Sequence, residues 1–192
     1  ADSVVGEPAI SPVTYGQDFT VTFTPKLLTQ KSFFARTFSR SATAEKTAEL
    51  YFGDTLLATQ NNVTENTAVT FTVNADKKIP SSAFDGTAQT FTIRWGGDDN
   101  LNASEGSVTA TLNKKALTGE VVSSTSKVYD GTNSFTDVAL NLTGAVSGDT
   151  VTATADGTAA GTDAGTHAFT ATQTTLGGAD AGYYSLAANA GS

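Results

Sequence analysis

One histidine, 19 carboxylates and no cysteine set the chemistry open to this chain. His167 alternates with Phe169 and Ala171, which puts the three on one side of a strand. An imidazole there could act as a base, but Ser and Thr are so frequent in this chain that none is marked out as its nucleophile. A strand-edge histidine with its polar end in water is the better reading. One His without Cys does not supply the three or four ligands of a usual zinc site, so no zinc is expected. Asp98 and Asp99 adjoin each other near Glu105, the raw material of a glycosidase carboxylate pair. Adjacent strand residues point apart, however, and turns collect Asp for conformational reasons, so these read as solvated turn acids. Asp98, Asp99, Asn100 and Glu105, with Asp156, Asp163 and Asp180 further on, are hard oxygen donors of the kind calcium takes, but none has EF-hand spacing. The Gly-Gly-Asp-Asp and Gly-Gly-Ala-Asp stretches lack the Lys-Ser/Thr and the helix of a phosphate loop. The expectation is a chain with no cofactor and no catalytic activity.

One segment stands apart. Five of the 11 basic residues, Lys26, Lys31, Arg36, Arg40 and Lys46, fall between 26 and 46, interleaved with Phe33, Phe34 and Phe38. Two readings are open. The first is an extra hairpin whose phenylalanines cap a core while arginines cover their edges. The second is a contact surface for a partner, a host glycan, cell-wall polymer or protein, with Phe33, Phe34, Arg36, Phe38 and Arg40 as the contact residues.

The elements that must position these residues are strands. Phe19, Val21 and Phe23 alternate with Thr20, Thr22 and Thr24, and the same period of two runs through Val69–Val73, Phe91–Trp95 and Val108–Leu112. Threonine on the outer faces suits a solvated sheet. Gly53-Asp54, Asp85-Gly86 and Gly96 to Asn100 read as turns between them. The best helical candidate is Ala42 to Leu50, with Tyr51 and Phe52 suggesting that a strand follows soon. Short strands and frequent turns indicate sandwiches in which two sheets cover each other.

Composition shifts near residue 115. Residues 1–114 hold nine Lys or Arg against twelve Asp or Glu, and residues 115–192 hold two against seven. In the second part Val138, Leu140 and Leu142, then Val151, Ala153 and Ala155, alternate with small polar residues, which predicts a thin core. Residues 113–118 are expected to form a short, fairly stiff joint, with the next strand starting near Glu120. A net charge of −8 works against nucleic acid as a partner. The longest apolar stretches are a few residues, far short of the roughly 20 that cross a bilayer, so no membrane insertion of this segment is expected.

Two resemblances sharpen the picture. PVTYGQ at 12–17, FTVTF after it, AELYFGDTLLAT at 48–59 and IRWGGDDNLNASEGSVTATL at 93–112 resemble a bacterial Ig-like repeat family. Leu101 stands where that family usually has an aromatic, and residues 26–47 exceed its usual connection. KVYDGT at 127–132, LTGAVSGDTVTATADGTAAGTDAG at 142–165 and LGGADAGYYSL at 176–186 resemble the YDG repeat of bacterial surface proteins and large adhesins. The resemblance implies two tandem all-β Ig-like sandwich modules, 1–114 and 115–192, forming an extracellular, monomeric and elongated stalk. Neighbouring repeats of the parent protein would be its partners. Asp130-Gly131-Thr132 reads as a turn at a strand end, with the Tyr129 ring packed and its hydroxyl at the rim. A Lys127–Asn189 isopeptide bond, with Asp137 or Asp149 as the promoting acid, is considered and expected to be absent.

Overall fold

The computed structural model describes residues 3–27, 47–64, 66–96, 103–122 and 125–187. It is almost entirely β, as the alternation predicts, with two short 3-10 turns at Ser81–Ala83 and Ala181–Tyr183. No helix among the described residues is long and apolar enough to cross a membrane. The chain divides into two compact units, Ala1–Asn113 and Lys114–Ser192.

The first unit contains β1 (Ser3–Ile10), β2 (Val13–Thr14), β3 (Asp18–Leu27), β4 (Ala48–Phe52), β5 (Thr55–Gln60), β6 (Val69–Asn74), β7 (Ala88–Trp95) and β8 (Ser104–Asn113). They form a three-stranded sheet, β1-β3-β6, and a five-stranded one, β2-β8-β7-β4-β5. Phe19, Val21 and Phe23 on β3 are buried, as are Leu50 on β4 and Phe91, Ile93 and Trp95 on β7. The Phe19 and Phe91 rings lie 5.4 Å apart, so the apolar faces of the two sheets meet each other. On the opposite face of the larger sheet Arg94 stands between its strand partners Glu49 and Glu105, with its guanidinium 4.5 Å over the Tyr51 ring. The helical expectation for 42–50 fails where it can be seen. Ala48–Leu50 belong to β4, because Ala48 and Leu50 bury alternate side chains between β5 and β7 and that burial outweighs local helix propensity.

The second unit contains β9 (Lys115–Val121), β10 (Ser134–Thr143), β11 (Thr152–Ala159), β12 (Phe169–Gly177) and β13 (Tyr184–Leu186), ordered β12-β11-β10-β9-β13. β10 changes partner along its length: residues 134–139 lie on β11 and residues 140–143 on β9. A bulge between Phe135 and Val138 marks the bend, with Asp137 at φ +52°. The core is thin. Leu140, Ala153 and Ala155 are its buried centre, with Val121, Phe169, Leu176 and Leu186 packed around them. The joint differs from the expectation for 113–118. β8 ends at Asn113 and β9 starts at Lys115, because Leu117 is already a buried strand residue. The two lysines at the junction hide that strand start from a reading based on apolar alternation.

β13 pairs with β9 in parallel, Tyr184 opposite Lys115 and Leu186 opposite Leu117. The first and last strands of the unit are therefore neighbours running the same way. The loops of the unit fall at two ends: 144–151 and 178–183 lie at the end where β9 begins, and 125–133 and 160–168 lie at the other.

Candidate functional site

The YDG motif sits in the loop between β9 and β10. Asp130 Oδ1 accepts the Thr132 backbone N–H at 2.9 Å and the Thr132 hydroxyl at 2.8 Å, with Gly131 at φ +77°. This is the turn expected from the sequence, and it occurs twice. Asp85 Oδ1 accepts the Thr87 N–H at 2.9 Å and its hydroxyl at 2.6 Å, with Gly86 at φ +80°. Aromatic-Asp-Gly-Thr is the local pattern in both units, Phe84 to Thr87 and Tyr129 to Thr132. Asp supplies an acceptor two residues back, and Gly takes the left-handed conformation without strain.

Lys127 adds a clamp to the second turn. Its ammonium lies 2.9 and 3.0 Å from the two Asp130 oxygens, 2.7 Å from Thr132 Oγ1 and 2.9 Å from the Ser134 carbonyl, and 5.2 Å above the Phe135 ring. The Lys127 bond, followed by those from Thr132, pulls the Asp130 carboxyl down to about 2. The expectation for Tyr129 is reversed. Tyr129 is 71% exposed and Val128 90% exposed, because the clamp draws residues 127 and 130 together and turns the two between them outward.

At the opposite end the stretches around Asp149 and Tyr184 hold each other. The buried Tyr184 hydroxyl donates to Asp149 Oδ2 and accepts the Val146 N–H at 3.0 Å. Asp180 accepts the Thr150 N–H at 2.8 Å. Burial and the bond to Asp149 push the Tyr184 phenol up to about 12, against the pull of the Val146 N–H. This clasp was not anticipated, although its members stand in the quoted SGD and GYYSL stretches. Nothing in either stretch alone says which acid meets which tyrosine.

The remaining acids are placed individually. Glu105 receives Arg94 at 3.1 Å. The Asp156 carboxylate accepts the N–H of Asp137 at 2.9 Å and so supports the β10 bulge. Asp163 meets His167 through its backbone carbonyl, 2.8 Å from Nε2. His167 is exposed and precedes β12 rather than standing on it; its imidazole lies against Gly161, where a Cβ would approach to 2.7 Å. No group of three or more His, Cys, Asp or Glu able to hold a metal occurs among the described residues. Asp98, Asp99 and Asn100 lie outside them, as do Asn189 and the contact candidates Phe33, Phe34, Arg36, Phe38 and Arg40. At the edge of that segment Lys26 pairs with Glu7 at 2.6 Å. Of the residues considered for an isopeptide bond, Lys127 is committed to Asp130, Asp137 heads the bulge, and Asp149 belongs to the Tyr184 clasp at the other end.

The model of the YDG domain family matches residues 113–191, the second unit with one flanking residue. No curated protein matches the chain.

Proposed function

We propose that this chain is a non-catalytic spacer of a bacterial cell-surface protein or adhesin, two tandem Ig-like modules that carry tension and present a distal binding domain. One observation carries the reading. In each unit an early strand pairs in parallel with the last one: β2 with β8, Val13 opposite Leu112, and β9 with β13, Tyr184 opposite Lys115. In a parallel pair the start of one strand and the end of the other lie at opposite ends, so a pull on the ends of the second unit loads the β9–β13 hydrogen bonds together in shear, whereas in the first unit β1, paired with β3, precedes β2. A pull that opens strands from one end breaks them singly. The acids of the second unit support the same reading, since Asp130, Asp149, Asp156 and Asp180 are spent on backbone and loop bonds rather than gathered at a reacting centre. The bacterial surface setting follows from the resemblance of residues 127–186 to the YDG repeat.

Single-molecule pulling between the chain ends tests the proposal. Two separate ruptures are expected, each releasing chain at about 3.5 Å per residue of one unit. A chain that lengthens smoothly, with no rupture peak, contradicts it.

A further inference from the structure

The two Asp-Gly-Thr turns serve as controls for each other. At the first, Phe84 is fully buried, its ring edge-on to Tyr15 at 5.6 Å. At the second, the aromatic residue in the same place, Tyr129, is 71% exposed. Ser82 stands where Lys127 stands in the second turn, and the first turn forms without a lysine, Gln89 Nε2 donating to the Thr87 hydroxyl at 2.9 Å. The lysine clamp is therefore not needed to make the turn. What it adds is a closed, braced loop with Val128 and Tyr129 at the tip. A large ring held out in water on a rigid mount is already organised for contact, so a ligand would lose little conformational freedom in meeting it.

Tyr129 stands at the rim of a cleft of about 550 Å³ that also involves Thr132, Asn133, Thr166, His167 and the Phe169 ring. Its walls combine hydroxyl, amide and aromatic groups with the charged Lys127 and Asp163 and the aliphatic Val121, Val122 and Val138. Asp130 offsets the charge of Lys127, and Asp163 adds a negative one, so the cleft offers no net positive charge to a phosphate or sulfate. A protein partner would need about 800 Å² of surface with an apolar centre. Val128 and Tyr129 are the large apolar side chains this unit exposes among the described residues, too few for such a centre. A pyranose ring fits better. Its C–H face stacks on an aromatic ring, and its hydroxyls both donate to and accept from threonine and asparagine. The geometry points to a binding site for a neutral saccharide, built on the exposed Tyr129 ring and the Thr132–Asn133 rim of the cleft.

Saturation-transfer NMR on the whole chain tests this with maltotetraose, cellotetraose, xylotetraose and mannotriose, and with a sulfated heparin tetrasaccharide as the anionic arm. At least one neutral sugar is expected to receive saturation and to shift the Tyr129 ring signals. Tyr129→Ala should weaken binding about tenfold with the backbone spectrum unchanged, Tyr129→Trp should retain it, and Ala at Phe33, Arg36 and Arg40 together should leave it intact. No transfer to any neutral sugar, binding that survives Tyr129→Ala, binding of the sulfated arm alone, or Tyr129 shifts that follow protein concentration alone would each overturn the inference. Pulling reads none of these signals, so a failure here leaves the spacer reading standing.

Discussion

Lys127 and Tyr184 anchor the two ends of the second unit, and each gives a prediction with a defined pH window. The folded Asp130 carboxyl lies at about 2, below its ordinary 3.8, so its ion pair contributes stability above pH 3.8 and loses it as pH falls towards 2. Asp130→Asn should lower the urea midpoint at pH 7, and the gap to the native chain should close between pH 3.8 and 2. A gap unchanged at pH 2 would show that the Lys127 pair is not its source. Tyr184 runs the other way. Its phenol, at about 12 rather than 10, contributes stability below pH 10 that is lost as pH rises through 12. Tyr184→Phe strips Asp149 of a donor and the Val146 N–H of an acceptor in a buried place, which should cost about 1–3 kcal/mol in denaturant titration at pH 7. That variant should also lack the alkaline transition; a loss under about half a kcal/mol would mean that water replaces both bonds. At this scale the sequence was only partly legible. The Asp-Gly-Thr turn could be read from residue chemistry, whereas the exposure of Tyr129 depends on a lysine two positions earlier reaching across the turn. The same aromatic-Asp-Gly-Thr pattern buries its ring at Phe84.

Elements were legible where one face is apolar and the other threonine. β3, β6, β7 and β8 contain the alternating runs that mark them, and Gly53-Asp54 and Asp85-Gly86 fall in the turns between strands. What alternation does not encode is partnership. The handover of β10 from β11 to β9, and the parallel pairing of a three-residue β13 with β9, depend on contacts between residues about 15 to 70 positions apart, which no local window contains. Glycine at 157 is another long-range constraint. A Cβ there would meet the Thr170 carbonyl and fall 2.6 Å from the Phe169 ring, on the neighbouring strand β12. Gly157→Ala should therefore destabilise the second unit by about 1–3 kcal/mol through overpacking, read as a lowered urea midpoint. A neutral effect would show that β12 moves aside freely at that point. Over 48–50, the part of the 42–50 helical expectation that falls in a described strand, it failed for the same reason that the partnerships were invisible, since Ala48 and Leu50 take strand conformation from the two strands that flank them.

For the whole molecule, each unit is closed by a parallel pair that includes its last strand, and the proposed role rests on that shared feature. The shift in composition near residue 115 falls beside the division between the units at 113 and 114, where the aromatic core of the first gives way to the Leu140, Ala153 and Ala155 centre of the second. A thin core makes the arrangement of terminal strands matter more, since the hydrogen bonds between β9 and β13 then supply more of the resistance to a pull. The decisive measurement compares two pulling directions on the second unit, with cysteine handles at 114 and 187 in one chain and at 114 and 144 in another. The first direction shears β9 against β13; the second opens β9 and β10 from the end where Thr118 faces Thr143. A markedly higher rupture force in the first direction is predicted, and equal forces in the two would contradict the account.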